Sequence, residues 1–339
     1  MEYYSGLDVS LETTFISIIN EKGKIISEAN VKTGVESIHK YLSEQNLSYE
    51  RIGLESGQLS ISLCKGLVKK GLNVICVEAR HMAAALSAKI NKNDKNDARG
   101  IAQMMRVDLY KTVKIKSDES CQLKMLLGSR RQLVNTRKQI NGSIRGLLKI
   151  YGLKISARTE TKSFAQKVRE AIKSLDTYSR ASIEALLVNT EQLEKSLIKL
   201  DKLLMSISKK DKACKLLMTV PGVGIITALT YKSSLDDPER FETSEVVGAY
   251  MGLTPKQYSS GEVDRHGHIS KMGPKECRSM LYEAAQSILT VCKKSSKLKT
   301  WGLKIMKKKG MKKAAVAVAR KLAVIMHRML ISEKEFCYN

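Results

Sequence analysis

Apolar and polar positions follow two different periods along this chain. Residues 1 to about 112 read as strands alternating with helices. The runs Phe15 to Ile19 and Ile25-Ile26 flank Asn20-Glu21-Lys22-Gly23-Lys24, a hairpin signal. Gly34 to Gln45 has helical periodicity, a strand then ends at Glu55, Ser60 to Lys70 is helical again, and Asn73 to Val77 is a short buried strand. From 113 to about 212 the period is helical throughout, and Leu123 to Ile150 and Ile183 to Ile207 predict two long helices. In the second, Leu186, Leu193, Leu197, Leu200 and Leu204 step by three, four or seven residues, which suits a packed helix pair and an inter-subunit coiled coil equally. Gly142, Gly146 and Gly152 predict a kink or break in the first.

Residues 213 to 339 differ in character, and all four prolines fall between Pro221 and Pro274. Met218-Thr219-Val220-Pro221-Gly222-Val223-Gly224 leads into a helix start at Ile225. An apolar helix, a Pro-Gly-x-Gly turn and a second helix resemble a helix-hairpin-helix unit. In such a unit Gly222 and Gly224 would let backbone N–H groups approach a DNA phosphate. The expected division is therefore an α/β domain over 1–112, a helical, coiled-coil middle over 113–212, and a mainly α domain over 213–339.

Charge narrows the partner. The 339 residues carry 59 Lys and Arg against 34 Asp and Glu, a formal net charge of +25, which argues for a polyanion, nucleic acid first. No apolar stretch reaches the roughly 18 residues needed to span a bilayer, and the N-terminus lacks the regions of a signal peptide. The seven cysteines are scattered without a Cys-x-x-Cys pair, so a reducing cytoplasm is expected rather than a disulfide framework.

Against that charge, four acids stand out. Asp8 lies in Gly6-Leu7-Asp8-Val9-Ser10, Glu55 ends Arg51-Ile52-Gly53-Leu54-Glu55, and Asp94 and Asp97 are three apart at the head of a helical pattern. Carboxylates at strand ends, joined by two on a later helix, resemble an RNase H-like core, where such groups hold magnesium against a phosphate backbone. A second centre is the glycine-punctuated loop from Met251 to Gly273, rich in hydroxyls and including Ser259-Ser260-Gly261, Arg265 and Lys271. A serine beside glycine and near cations could attack phosphate. Farther on, Trp301 to Leu330 holds nine lysines and arginines, Lys304 to Arg328, and no acid, the composition of a phosphate-contacting helix.

The set Asp8, Glu55, Asp94-x-x-Asp97, then Val220 to Gly224, then Gly252-Leu253-Thr254-Pro255 with Ser259-Ser260-Gly261 and Gly267 to Lys271, resembles the DEDD transposases of the insertion sequence 110 family along essentially the whole chain. That resemblance implies a RuvC-like domain using Asp8, Glu55, Asp94 and Asp97 around Mg2+, a coiled-coil middle, and a C-terminal transposase domain whose nucleophile is Ser260, with Ser259 a residue away. It implies a homo-oligomer, a dimer or tetramer, in which different protomers complete one site. It also implies a non-coding bridge RNA pairing with donor and target DNA. The alternatives are a RuvC-like junction endonuclease using metal-activated water, and a non-catalytic nucleic-acid-binding protein left by a decayed mobile element.

Overall fold

The computed structural model describes residues 1–86, 93–156, 163–260 and 263–338. The chain divides into two compact units, Met1–Lys116 and Ser117–Asn339; the second holds both the expected helical middle and the expected C-terminal domain.

In the first unit the chain runs β1 (Tyr3–Val9), β2 (Thr13–Asn20), β3 (Ile25–Lys32), α1 (Val35–Glu44), β4 (Tyr49–Glu55), α2 (Ser60–Lys69), β5 (Val74–Val77), α3 (Ala79–Leu86) and α4 (Asp94–Val107). The sheet order is β3-β2-β1-β4-β5. The first three strands are antiparallel, and β4 and β5 run parallel to β1. This is the RNase H-like arrangement expected from the strand-and-helix pattern. Strand alternation gives the sheet two buried faces. Leu7, Ile16, Ile18, Ile52 and Leu54 pack with Ile38 and Leu42 of α1 and Leu63 and Leu67 of α2. On the other face Tyr4, Ile19 and Val77 pack with Ile101, Ala102 and Met105 of α4.

The second unit contains α5 (Asp118–Ile150), α6 (Ser163–Ala171), α7 (Thr177–Lys210), α8 (Lys212–Leu217), α9 (Ile225–Leu235), α10 (Val246–Tyr250), β6 (Pro255–Ser260), β7 (Val263–Ile269), α11 (Lys275–Thr290), α12 (Lys297–Lys309) and α13 (Met311–Ser332). Helices α5 and α7 pair with each other in antiparallel sense: Arg130 bonds Asp201 at 2.5 Å, Arg137 faces Glu194 at 3.8 Å, and the Thr190 hydroxyl donates to Asn141 Oδ1 at 3.2 Å. Rising numbers on one helix meet falling numbers on the other. The buried stripe of α7 is Ile183, Leu187, Thr190, Leu197 and Leu204, so Leu197 and Leu204 are buried as expected while Leu186, Leu193 and Leu200 lie half-buried beside it.

The first long helix is not broken at Gly142 or Gly146, which lie within continuous α5. Packing of Ile144 and Leu148 against Ile183 and Leu187 outweighs the loss of about 1 kcal/mol that each glycine brings to a helix. The chain leaves the helix only near Gly152, whose φ is +70°. Around α9, α11 and α13 lies the larger core, with Leu229, Tyr231, Leu281, Ala285, Val318 and Leu322 fully buried or nearly so. The Tyr231 hydroxyl donates to the Ala323 carbonyl at 2.6 Å. His327 is buried, donates from Nε2 to the Pro238 carbonyl at 2.9 Å, and accepts at Nδ1 from Ser244 at 2.8 Å.

Candidate active site and nucleic-acid interface

The placement of the four acids turns on two glycines. Strands β1 and β4 are in parallel register, Gly6 opposite Gly53 and Leu7 opposite Leu54, so Asp8 and Glu55 follow side by side. Both carboxylates share the strand parity of the glycines, hence the face covered by α4. A Cβ on Gly6 would collide with the backbone of Ala98 and Ala102, and one on Gly53 would stand 2.8 Å from Ile101 and Met105. Their bare backbone lets α4 lie directly on the sheet.

The direction of α4 then decides what meets what. Gly23, in the turn beyond the β1 start, faces Gln103 and Arg106, whereas Gly6 faces Ala98 to Ala102. Helix and strand therefore run in opposite senses, and the N-terminus of α4 approaches the Asp8 end of β1. Asp8 lies about 6–7 Å beyond Gly6 along the strand. Asp97 and Asp94 lie about 4–5 and 9 Å beyond the level of residue 100 along the helix, bracketing Asp8. Both also share the helical face of Ala98, Ile101, Ala102 and Met105, since Asp94 precedes Ala98 and Asp97 precedes Ile101 by four positions.

Local interactions fix this helix start. The Asn93 side chain accepts from the Asn96 amide at 2.8 Å, an N-cap. Farther along, Arg99 donates to both oxygens of Glu28 on β3 at 2.6 and 2.8 Å, with Lys95 3.5 Å from the same carboxylate and Ser17 donating to it at 3.2 Å. Arg99 holds the Glu28 carboxyl below the usual carboxylate range. Glu28 is thus the anchor of α4 on the sheet, which the sequence pattern did not reveal.

Asp8 and Asp97 are half-buried, while Glu55 and Asp94 are exposed. Among the described residues no three His, Cys, Asp or Glu side chains close into a metal-holding group. What the fold supplies is carboxylates from β1, β4 and the start of α4 toward one end of one sheet, the donor type that a hard divalent cation takes.

The second centre is a hairpin rather than the loop expected from its glycines. Strands β6 and β7 are antiparallel, with Tyr258 opposite Arg265, Ser259 opposite Asp264 and Ser260 opposite Val263. Ser260 ends β6 at the tip; Gly261 and Glu262, part of the serine motif, lie outside the described residues. The base is locked by backbone. Ser270 donates to the Thr254 carbonyl at 2.8 Å and Lys271 to the Gly252 carbonyl at 3.1 Å. Gly252 and Gly273 have φ of +67° and +83°, and a Cβ on either would strike the main chain of Met272 or Tyr250. Arg278 clamps the same crossing from below, donating to the Met251 and Met272 carbonyls at 3.1 and 3.3 Å. Much of the Gly-Leu-Thr-Pro and Ser-Lys-Met-Gly signal is therefore the foundation that projects the Ser259-Ser260 doublet.

Beside this base runs a groove of about 1410 Å³ between the hairpin and helices α12 and α13. Its floor includes Trp301, Ile305 and Val316, and its rim carries Lys304, Lys308, Lys309, Lys312, Lys313 and Arg320. Lys271 and His268 line the hairpin side. Among the described residues none of the six rim cations pairs with a carboxylate. The single basic helix read from the sequence is two helices folded around Gly310, whose φ is +80°.

The turn at Gly222 and Gly224 precedes α9 as expected. Gly222 has φ +78°, and its Cβ would stand 2.8 Å from the Ala284 carbonyl oxygen of α11. Packing therefore demands that glycine independently of any ligand. Gly224 meets nothing within 4 Å and caps α9, leaving its surroundings open.

Comparison with known proteins covers both regions of the chain. A family model of DEDD transposases of the IS110 type matches residues 5–152, which carry the four acids. The model described as Transposase IS116/IS110/IS902 family matches residues 214–300, which carry the glycine turn and the hairpin. The transposase for insertion sequence element IS1111A of Coxiella burnetii is 27% identical over 343 residues, covering 98% of this chain and 90% of its own. A probable family 20 transposase of Pseudomonas aeruginosa is 27% identical over 257 residues, covering 74% of this chain and 75% of its own. Among solved structures, Thermus thermophilus RuvC in complex with a Holliday junction substrate aligns with 33% of this chain and all of its own at 13% identity, with a TM-score of 0.26, a likeness too slight to carry an argument. With both family models on one chain, in order and over the residues that build its two centres, the protein belongs to the IS116/IS110/IS902 family of DEDD transposases.

Proposed function

We propose that the protein cuts and rejoins DNA strands through a covalent phosphoserine intermediate, with Ser260 as nucleophile and Asp8, Glu55, Asp94 and Asp97 as the metal-holding acids. The observation that carries this is that Asp8 and Glu55 directly follow the paired stretch of β1 and β4, on the face covered by α4 with its acidic start, in a chain that also places a serine at a hairpin tip beside a basic groove.

In this reading the Ser260 hydroxyl attacks the scissile phosphorus and its proton passes through solvent to the bridging oxygen of the departing strand. That oxygen leaves as a hydroxyl, and the new phosphoserine diester conserves the bond energy. Attack on that diester by the hydroxyl of an exchanged strand restores DNA and frees the serine, so no external energy source is needed. The four acids would hold a magnesium ion, which would supply Lewis-acid polarisation of the phosphate. The acids themselves concentrate negative charge at one sheet end for such an ion, while Arg265 and Lys271 neutralise charge that develops on the phosphate.

Serine and acids meeting across protomers, in a dimer or tetramer, follows from the family resemblance, as does a non-coding RNA that pairs with donor and target. A guide of that kind fits a chain with a net charge of +25, which suits gripping backbones while base pairing supplies sequence choice. Among the described residues no helix is long and apolar enough to cross a membrane, and the proposed site of action is the DNA of the cytoplasm.

The test is strand rejoining with purified protein, the element's flanking RNA, donor and target DNA, and magnesium. Asp8→Asn and Ser260→Ala are each expected to abolish recombined product while retaining nucleic-acid binding. Normal recombination by Ser260→Ala sinks the nucleophile assignment, and cleavage without rejoining favours a hydrolytic junction nuclease.

A further inference from the structure

We infer that the groove between α12, α13 and the hairpin base holds one unpaired strand of DNA, its bases on the apolar floor and its phosphates on the lysine rim. The inference deepens the recombinase reading and takes from it the identity of the strand, namely the one presented to the hairpin serine.

Two features in one groove point to a single strand. The floor offers Trp301, Ile305 and Val316, while the rim offers exposed lysines without acidic partners. A duplex carries phosphates outside and its bases stacked within, so it could satisfy the rim but would leave the floor facing water or sugar. An unpaired strand presents both a charged backbone and apolar base faces, the combination that single-strand sites meet with cations and an aromatic platform. The Trp301 ring packs against the core of this unit and has the Lys321 ammonium 4.3 Å from its centroid, contacts that both restrict its motion.

The fold around the rim strengthens the assignment. Lys308 and Lys309 end α12, Lys312 and Lys313 begin α13, and Gly310 reverses the chain between them. The cations are thereby brought around one bend instead of being spread along one straight helix. On the opposite wall His268 lies in β7 and Lys271 just beyond its end, at the base of the hairpin whose tip bears Ser260. A strand lying in the groove therefore runs along the base of the element that carries the proposed nucleophile.

Trp301 is the chain's one tryptophan, so its emission reports this groove alone. Full-length protein would be titrated with oligothymidylate, with a mixed-sequence duplex of equal length, and with oligouridylate, following tryptophan emission and ligand anisotropy together. The expected result is saturable quenching by oligothymidylate, weaker binding of oligouridylate, and duplex binding without quenching. In the double variant Lys308→Ala/Lys312→Ala the salt slope for oligothymidylate should fall by about 1.4, from two lost phosphate contacts at about 0.7 each. Quenching by duplex as strong as by single strand, preference for oligouridylate, absent quenching, or an unchanged slope would each overturn the inference. The recombination assay on the same preparation separates the two readings. Quenching without strand rejoining sinks the recombinase alone, and rejoining without quenching sinks the groove assignment alone.

Discussion

Gly6→Ala tests the claim that a bare strand backbone brings the acids together. On backbone entropy alone, replacing glycine within a strand should stabilise by about 0.5–1 kcal/mol. The structure reverses that sign. The new Cβ would lie 2.9 Å from the Ile101 Cβ and closer still to the main chain of Ala98 and Ala102, and backbone atoms of a packed helix cannot rotate away. Helix α4 must retreat on the order of 1 Å, a misfit of the kind that costs about 1–3 kcal/mol in a packed core. For a unit of this size that lowers the midpoint by roughly 5–15 °C. The retreat also draws Asp94 and Asp97 away from Asp8 and Glu55, so magnesium-dependent strand cutting should fall further than stability at the assay temperature explains. Thermal unfolding by circular dichroism, read beside the cutting assay, measures both. Gly142→Ala serves as the sign control, because that position lies in α5 with open space around it and should gain about 1 kcal/mol. A Gly6→Ala protein as stable and active as wild type would refute the packing argument.

Other substitutions separate packing from ligand contact. Gly222→Val should destabilise the second unit by about 2 kcal/mol or more, because it combines a positive φ with a clash against α11; its loss of DNA binding would follow from misfolding. Gly224→Ala meets open space and should leave the melting temperature unchanged while weakening DNA binding if the turn's amides approach phosphate, as filter binding would show. Glu28 has a depressed carboxyl, so the stability that it contributes is present above the ordinary carboxylate range and lost as pH falls through its folded value. Wild type should therefore lose first-unit stability on acidification more steeply than Glu28→Gln, whose melting curve should already be lowered at neutral pH and flatter toward acid.

Much of the first unit was legible because its signals are local. Strand alternation, the Asn20–Lys24 turn and the acidic helix start gave β1 to β5 and α4 to within a few residues. Less visible was why the acids converge, although the sequence held the clue twice: Gly6-Leu7-Asp8 and Gly53-Leu54-Glu55 place glycine two positions before an acid in each central strand. Pairing Glu28 with Arg99 spans 71 residues and leaves no periodic trace. The β6–β7 hairpin was missed because its strands, Pro255–Ser260 and Val263–Ile269, are polar or small at most positions, so no apolar alternation marks them. Its form is imposed from the base, where Gly252, Gly273 and Arg278 interlock. The groove was half legible: the cations were plain, but the bend at Gly310 that turns them onto Trp301 depends on one positive φ.

The most direct test of the central claim is covalent capture. Labelled donor DNA, target DNA, guide RNA and magnesium would be incubated with wild type, Ser259→Ala and Ser260→Ala, then run on a denaturing gel. A protein-linked DNA band present in wild type and Ser259→Ala and absent in Ser260→Ala is the predicted result. Free cut ends without a linked band in any lane, or a band that persists in Ser260→Ala, would contradict it.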